Sequence, residues 1–221
     1  MVRARAEPDR AQVTFLLDVV HTTKILTPAD VESAYRAGIF PMADSDRGII
    51  TWHRPERRAI LPLETFHTSR SLSALLRRRP FEVTFDRAFA EVVKACSDRP
   101  STWISGDIKT VYGELHALGK AHSVEVWVNG ELAGGLYGVH LGGAFFAESM
   151  FHRRTNMSKV ALAELVSRLR MQGFALLEVQ YLTEHLAQFG VIEIPDRRYQ
   201  ARLKEALELS CSFGGILKSE A

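Results

Sequence analysis

The sequence is poor in cysteine and has no long apolar run. Two cysteines in 221 residues are too few for a disulfide framework or a cysteine-rich zinc cluster, and so low a number is typical of a reducing compartment. No apolar run approaches the roughly 20 residues of a membrane-spanning helix, and residues 1–12 alternate charges where a signal peptide would be apolar. We therefore expect a cytoplasmic protein with no membrane partner and a mobile N-terminus.

Several signatures of catalysis and cofactor binding are absent as well. The eight histidines show no HExxH spacing, and neither a GxSxG nucleophile elbow nor a P-loop occurs. RMQGFA (residues 170–175) formally matches the pyrophosphate loop of acetyltransferases. That loop should open a helix so that backbone amides meet phosphate, whereas this run follows a helical pattern and its Gly173 fits a helix C-cap. We expect neither a metal nor a cofactor.

The charge is almost balanced overall but basic in one segment. The 28 lysines and arginines against 26 acidic residues give a net charge of +2, so any nucleic-acid contact needs a local patch. Residues 51–80 hold seven arginines and two glutamates. Arginine binds phosphate with a planar fork, and Trp52 in this segment offers a stacking surface for a base. A helix end with scattered surface arginines explains the same pattern, and both interpretations stay open.

The pattern of apolar residues and turns predicts a mixed α+β fold. Thr27 and Pro28 mark a helix start, Asp86 is placed to cap another helix, and Asn129-Gly130 predicts a type I′ hairpin turn. The predicted strands span residues 122–128, 132–139, 144–148 and 175–181, and the clearest helices span 69–78 and 158–171. An antiparallel meander followed by a helix and a strand is typical of a mixed α+β layer.

Polar side chains stand at unusual positions in two of these strands. Glu148 ends an apolar strand, whereas Glu178 and Gln180 are two apart and are expected on one face of theirs. Because glutamate is rarely buried without a partner, the three side chains are candidates for a shared cleft that binds an amine and relays its proton. The alternatives are a structural salt bridge or an edge-strand charge at Glu148 and a solvent-facing strand face at Glu178 and Gln180.

Long and uncommon runs then occur in one order between residues 34 and 199. They include AYRAGIFPM (34–42), RRAILPL (57–63), HTSRSL (67–72), TWI (102–104), LHALGKAHSVEVW (115–127), GGLYGV (134–139), ESMF (148–151), TEHL (183–186) and EIP (193–195). In these runs the chain resembles the leucyl/phenylalanyl-tRNA–protein transferases.

The resemblance implies both a fold and an activity. The implied fold is an acetyltransferase-like (GNAT) domain with a mixed, largely antiparallel sheet, at residues 67–221, preceded by a small N-terminal domain at residues 1–66. The implied activity moves leucine or phenylalanine from Leu-tRNA or Phe-tRNA to the N-terminal amine of proteins that start with arginine or lysine, which creates a degradation signal. Since the aminoacyl ester is already activated, this reaction needs no metal and no covalent nucleophile.

The resemblance also implies roles for the polar side chains of the two strands. Glu178 and Gln180 are the catalytic pair beside the attacking amine, and Glu148 holds the amino end of a substrate. The family usually has aspartate where this chain has Glu178, which moves the carboxylate by roughly 1 Å or more.

Further implied roles concern the donor. Met150 and Leu136 line the pocket for the leucyl or phenylalanyl side chain, and Trp52 and Trp103 pack near the terminal adenosine. The residues implied to follow the acceptor stem of the tRNA are Arg70, Arg77, Arg78 and Arg79.

Two other functions stay open on the sequence alone. An acetyl-CoA-dependent N-acetyltransferase shares the implied fold but needs a proper pyrophosphate loop. A non-catalytic RNA-binding module would use the arginine patch and would have no need of Glu148, Glu178 and Gln180.

Overall fold

The computed structural model of the chain describes residues 18–44 and 48–214, so the first dozen residues, which we expect to be mobile, lie outside the described residues. The N-terminal elements are β1 (Val19–Thr23), α1 (Pro28–Arg36), β2 (Phe40–Asp44) and β3 (Ile49–His53). The later ones are β4 (Arg57–Ile60), a 3₁₀ turn (Leu63–Thr65), α2 (Arg70–Arg78), β5 (Glu82–Phe85), α3 (Phe89–Ser97), α4 (Gly106–Ala117), β6 (Ala121–Val128), β7 (Glu131–Leu141), β8 (Ala144–His152), α5 (Met157–Met171), β9 (Leu176–Glu178), α6 (Glu184–Ala187), β10 (Ile192–Pro195) and α7 (Asp196–Leu207).

The strands form two sheets. The small sheet has the order β1-β3-β2 and the large one the order β10-β4-β9-β8-β7-β6-β5. All neighbours in both sheets are antiparallel except β8 and β9, which run parallel. The single parallel pair sits near the middle of the large sheet, and this is where the cavity described below opens.

Apolar side chains cover both faces of the large sheet. Helices α1, α3, α4 and α7 pack on one face, and α2 and α5 pack on the other. The small sheet joins the first of these cores through Ile50 and Trp52, which are 3% and 5% exposed. The N-terminal sheet is therefore packed on the same core as the helices beside the large sheet.

The predicted α+β fold is confirmed, and so are its main local signals. Thr27 caps α1 in a capping box with Asp30, each side chain accepting from the other's backbone N–H. Asn129 and Gly130 both have positive φ, 54° and 79°, as a type I′ turn requires.

Two local predictions were wrong. Asp86 does not cap a helix, since α3 begins only at Phe89; its carboxylate instead accepts from the backbone N–H of Ser123 at 2.9 Å and lies 2.8 Å from Nδ1 of His122. The strand predicted at residues 175–181 ends at Glu178 because Gln180 has a φ of 57°, which extended backbone does not allow.

The chain's division into domains stays a prediction. Strand β4 precedes the predicted boundary at residue 66 and yet lies inside the large sheet, between β10 and β9. None of the helices in residues 18–44 and 48–214 is long and apolar enough to cross a membrane.

Candidate active site

The parallel strands β8 and β9 pair over only three residues each. Their register joins Ala144–Phe146 to Leu176–Glu178, after which the two chains separate. A cavity of about 460 Å³ opens between them, in the range of small-molecule sites. Residues 147–150 form one wall and residues 179–181 the opposite wall. We call this space the β8–β9 cavity.

A β-bulge aims Glu148 into the cavity. Tyr137 of β7 pairs with Ser149 of β8, whereas the next residue, Gly138, pairs with Ala147, so Glu148 is the extra residue between them. Bulges of this kind re-aim a side chain and increase the local twist. Glu148 accordingly breaks the alternation of β8 and lines the cavity.

Three side chains donate hydrogen bonds to the Glu148 carboxylate. The hydroxyl of Tyr35 lies 2.5 Å from Oε1, that of Tyr112 lies 3.3 Å from Oε2, and Nε2 of Gln180 lies 3.1 Å from Oε1. The two hydroxyls are also 2.7 Å from each other. The predicted proximity of Glu148 and Gln180 is thus present in the structure.

The environment of Glu148 shifts the pKa of its carboxyl group into the neutral range. Burial raises the pKa of this carboxyl to about 8, although the hydrogen bonds from Tyr35 and Tyr112 oppose the shift. Burial and the nearby Glu148 also raise the pKa of both tyrosines well above its usual value, so both stay protonated and can donate. A carboxyl group that titrates near neutral pH inside a cavity is suited to proton transfer.

Glu178 has a different environment, although it sits on the neighbouring strand. It is 0% exposed and accepts from Nε of Arg58 at 3.0 Å and from Nη2 of the same guanidinium, while the Tyr199 hydroxyl donates to its other oxygen at 2.7 Å. Burial lowers the pKa of Arg58, but the attraction of Glu178 outweighs this and the pKa is raised. Glu178 is outside the cavity lining that Gln180 joins.

Apolar side chains form the rest of the cavity lining, together with one indole ring. Leu136, Met150 and Val179 lie around the space next to Glu148, and Trp103 lines it from the loop between α3 and α4. Leu136 and Met150 face each other across paired positions of β7 and β8. The structure therefore brings Glu148, Gln180, Met150, Leu136 and Trp103 to one cavity, as their predicted roles require.

The remaining predicted site residues lie elsewhere. Trp52 is 5% exposed, packs in the core below the small sheet and lines a separate cavity of about 290 Å³ with Val20 and Ile25. The predicted acceptor-stem residues lie on or just after α2, where all are exposed: Arg70, Arg77, Arg78 and Arg79. Arg79 pairs with Glu164 of α5 at 3.2 Å.

Sequence reasoning did not single out four residues that shape the site. Tyr35 and Tyr112 occupy ordinary core positions of their helices, and Arg58 is one of seven arginines in the basic segment but is 0% exposed. Arg99 lines the cavity beside Trp103. Only Arg58 had a usable signal, because it directly precedes the apolar residues Ala59 and Ile60 of the same strand.

The run at residues 170–175 ends a helix and enters a strand, as its pattern indicated. Helix α5 ends at Met171, Gly173 has a φ of 75°, and the backbone then enters β9. No group of three or more histidine, cysteine, aspartate or glutamate side chains suited to a metal occurs within the described ranges.

Comparison with known proteins identifies the family. Residues 60–204 match the family model of leucyl/phenylalanyl-tRNA protein transferase, and residues 25–56 match the model of the N-terminal domain of the same family. The chain belongs to the leucyl/phenylalanyl-tRNA–protein transferase family. A family member from Salinibacter ruber is 54% identical over 196 residues, which is 89% of this chain and 87% of that protein. Another, from Gloeobacter violaceus, is 52% identical over 188 residues, or 85% of this chain and 97% of that protein.

Solved structures that match the chain include a ribosomal-protein-alanine N-acetyltransferase from Brucella melitensis. It is 12% identical; the match covers 49% of this chain and 85% of that chain, with a TM-score of 0.36. The structure of L-PGS from Bacillus licheniformis is 14% identical, covers 75% of this chain and 57% of its own, and gives a TM-score of 0.42.

Proposed function

We propose that this protein transfers leucine or phenylalanine from its tRNA to the N-terminal amine of proteins that begin with arginine or lysine, producing a degradation signal. The observation that carries the proposal is the Glu148 carboxyl group at the end of an apolar cavity, in a chain of this transferase family. The reaction takes place in the cytoplasm and involves no membrane.

The walls of the cavity suit the aminoacyl side chain of the donor. Leu136, Met150 and Val179 offer an apolar surface near Glu148, and a flexible methionine adapts to both a branched aliphatic and an aromatic side chain. Apolar pockets separate side chains mainly by size, at about 1–3 kcal/mol per methylene. The Trp103 indole lines the same space and can stack on the terminal adenine.

Glu148 has the protonation behaviour that aminolysis of an ester requires. The amine nitrogen bonds to the ester carbonyl carbon, the bond from that carbon to the ribose oxygen breaks, and one proton passes from the amine to the ribose oxygen. Glu148, with a pKa of about 8, matches the reference pKa of an α-amine, about 7.7–8.0. It can therefore bind the amine, take up its proton and return it to the leaving oxygen.

Gln180 and Glu178 support this chemistry in different ways. Gln180 keeps the Glu148 carboxylate oriented through its amide at 3.1 Å. The resemblance implies that Glu178 is a catalytic residue beside the attacking amine, but its carboxylate is enclosed by Arg58 and Tyr199. Ala59, next to Arg58, donates its N–H to the backbone oxygen of Gln180 at 3.1 Å. We therefore assign Glu178 as a positioning residue that fixes the segment carrying Gln180.

The exposed arginines of α2 are the proposed contact with the acceptor stem. Replacing Arg77, Arg78 and Arg79 by alanine should weaken tRNA binding and reduce the slope of log affinity against log salt by about 0.7–0.9 for each lost phosphate contact. The matched control removes three exposed arginines of α7, which are Arg197, Arg198 and Arg202. Equal slopes for the two triple variants in a filter-binding titration would mean that the arginines of α2 do not contact the tRNA.

A transfer assay tests the proposed activity directly. The protein is incubated with labelled Leu-tRNA, Phe-tRNA or acetyl-CoA and a peptide that starts with arginine; an N-acetylated copy of that peptide serves as control. We expect label from the two aminoacyl-tRNAs on the free peptide only. Labelling from acetyl-CoA would identify an acetyltransferase, and tRNA binding without any transfer would identify a non-catalytic RNA-binding module.

A further inference from the structure

Arg99 lies on the wall of the β8–β9 cavity, in the loop that also carries Trp103. Both side chains line the cavity. The loop is tied to the small sheet, since the backbone N–H of Ala43 donates to the Trp103 carbonyl at 3.1 Å. Within the loop, the Thr102 hydroxyl accepts from the N–H of Ile104 at 3.1 Å. One short loop therefore presents a cation and an aromatic ring to the same space.

The Arg99 guanidinium is held in place with most of its donors unused. Its Nη2 donates to the Ser149 hydroxyl at 3.1 Å and to the Met150 carbonyl at 3.3 Å, so it is anchored on β8 directly beyond Glu148. A guanidinium has five N–H donors, and Nε and Nη1 keep three of them. Within residues 18–44 and 48–214, no carboxylate forms an ion pair with Arg99.

This geometry is suited to an oxyanion at the cavity wall. Nε–H and Nη1–H remain to donate charge-assisted hydrogen bonds to a phosphate or carboxylate oxygen. The two bonds to β8 already restrict the side chain, so less conformational freedom is lost on binding. Glu148 is the sole carboxylate that lines the cavity in the described ranges, and it is held instead by Tyr35, Tyr112 and Gln180.

We propose that Arg99 binds the phosphate attached to the 5′ oxygen of the terminal adenosine of the aminoacyl-tRNA. This inference rests on the proposed function. The aminoacyl adenosine end is neutral or cationic except for that phosphate, so the phosphate is the donor's one anionic group near the ester. With the adenine on Trp103 and the aminoacyl group beside Leu136 and Met150, Arg99 completes the site on the same wall.

The position of Arg99 also restricts the acceptor. An N-terminal arginine or lysine side chain is cationic, and it repels the cationic Arg99 guanidinium. The first side chain of the acceptor therefore enters away from Arg99. Arg99 thus marks the donor side of the cavity.

Two small donors that differ by one phosphate test the proposal. They are the 3′-phenylalanyl ester of adenosine and the same ester of adenosine 5′-monophosphate, each assayed with an arginine-starting peptide. A charge-assisted hydrogen bond should make kcat/KM of the unmodified enzyme about 10- to 100-fold higher for the phosphorylated donor. Arg99→Gln should bring this ratio close to one by lowering kcat/KM mainly for the phosphorylated donor, whereas Arg99→Lys should keep part of the preference.

The control variant is Arg87→Gln, which removes one exposed arginine that pairs with Glu82 outside the cavity. It should keep the full ratio. An equal loss with both donors in Arg99→Gln would mean that Arg99 only supports β8, and an unchanged ratio would mean that it does not bind the phosphate; either result overturns the proposal. If the unmodified enzyme transfers from neither these donors nor Phe-tRNA, the proposed function itself fails.

Discussion

Glu148 and Glu178 lie on neighbouring strands of one sheet, yet the hydrogen-bond partners of the two carboxylates differ in charge. Glu178 accepts from the Arg58 guanidinium and from one tyrosine. Glu148 accepts from two tyrosines and an amide, all of them neutral. A neutral donor compensates only part of the cost of burying a charge, so the pKa of Glu148 stays raised to about 8.

Because of this difference in partners, one carboxylate is suited to a structural role and the other to a chemical role. The Arg58–Glu178 pair has no exposed surface and holds strands β4 and β9 together. Glu148 sits on a bulge that opens to the cavity. The charged pair is suited to positioning, and the carboxyl group without a cationic partner is suited to proton transfer.

The largest expected effect is on turnover. Glu148→Gln keeps the size and removes the titrating group, so it should lower kcat about 10²- to 10⁴-fold with little change in binding of Leu-tRNA. Multiple-turnover transfer at saturating donor and acceptor measures kcat, and Glu91→Gln, which replaces an exposed glutamate of α3, is the matched control. An active Glu148→Gln enzyme would contradict proton transfer by Glu148 and would leave Glu178 as the candidate for that role.

The next effect is on stability. Arg58→Met leaves the Glu178 carboxylate buried without its cation, which should lower the free energy of unfolding by about 3–5 kcal/mol. Its neighbour Arg57 forms an exposed pair with Glu193, the arginine side chain being 58% exposed, so Arg57→Met should cost only about 0–1 kcal/mol. Urea denaturation gives both values. Equal losses would contradict the contrast between buried and exposed pairs on β4.

The pH dependence of stability should carry the signature of Glu148. Its pKa is raised from the ordinary 4.5 to about 8, so the folded state binds more protons than the unfolded state between these values. The contribution is therefore complete below about pH 4.5 and is lost as pH rises through 8. Allowing for partial exposure, the unfolding free energy of the parent should fall on the order of 2 kcal/mol more than that of Glu148→Gln between pH 5.5 and 8.5. Parallel curves of unfolding free energy against pH for the two proteins would contradict a raised pKa of Glu148.

A smaller effect should follow from Tyr35→Phe. The Tyr35 hydroxyl lowers the pKa of Glu148, so its loss should move the midpoint of the pH–rate profile upward and cost about 1–3 kcal/mol of stability for the unpaired carboxyl. Tyr137 is a suitable control, since its hydroxyl is buried and has no hydrogen-bond partner among the described residues. Tyr137→Phe should leave the profile where it is.

The smallest effect is expected for Tyr112→Phe. Its hydroxyl lies 3.3 Å from Oε2 of Glu148 and also forms a hydrogen bond of 2.7 Å with the Tyr35 hydroxyl. The upward shift of the pH–rate midpoint should therefore have the same sign as in Tyr35→Phe and a smaller size. A larger shift than in Tyr35→Phe would mean that Tyr112 is the principal donor.

The sequence predicts features that depend on local rules. The Asn129-Gly130 turn and the Thr27 capping box depend on a few adjacent residues, and the structure contains both. The motifs of the family carry Glu148, Gln180, Leu136, Met150 and Trp103, and these residues share one cavity.

Features that depend on distant parts of the chain were not predictable in the same way. The bulge at Glu148 depends on the pairing of β7 and β8, and its buried donor Tyr112 lies 36 residues away. Arg58 and Glu178 are 120 residues apart, and only the fold shows that they neutralise each other. The positive φ of Gln180 ends the two-residue alternation on which the predicted face of Glu178 and Gln180 rested.

The most direct test of this account is a titration of Glu148 itself. In protein labelled with ¹³C at the glutamate side-chain carboxyl, Glu148→Gln assigns the resonance and its shift is followed by NMR from pH 4 to pH 10. The account predicts a midpoint near pH 8, as the cavity raises the pKa of Glu148 to about 8. A midpoint near the ordinary glutamate pKa of about 4.3 would contradict the claim that Glu148 is the proton-transferring group of the site.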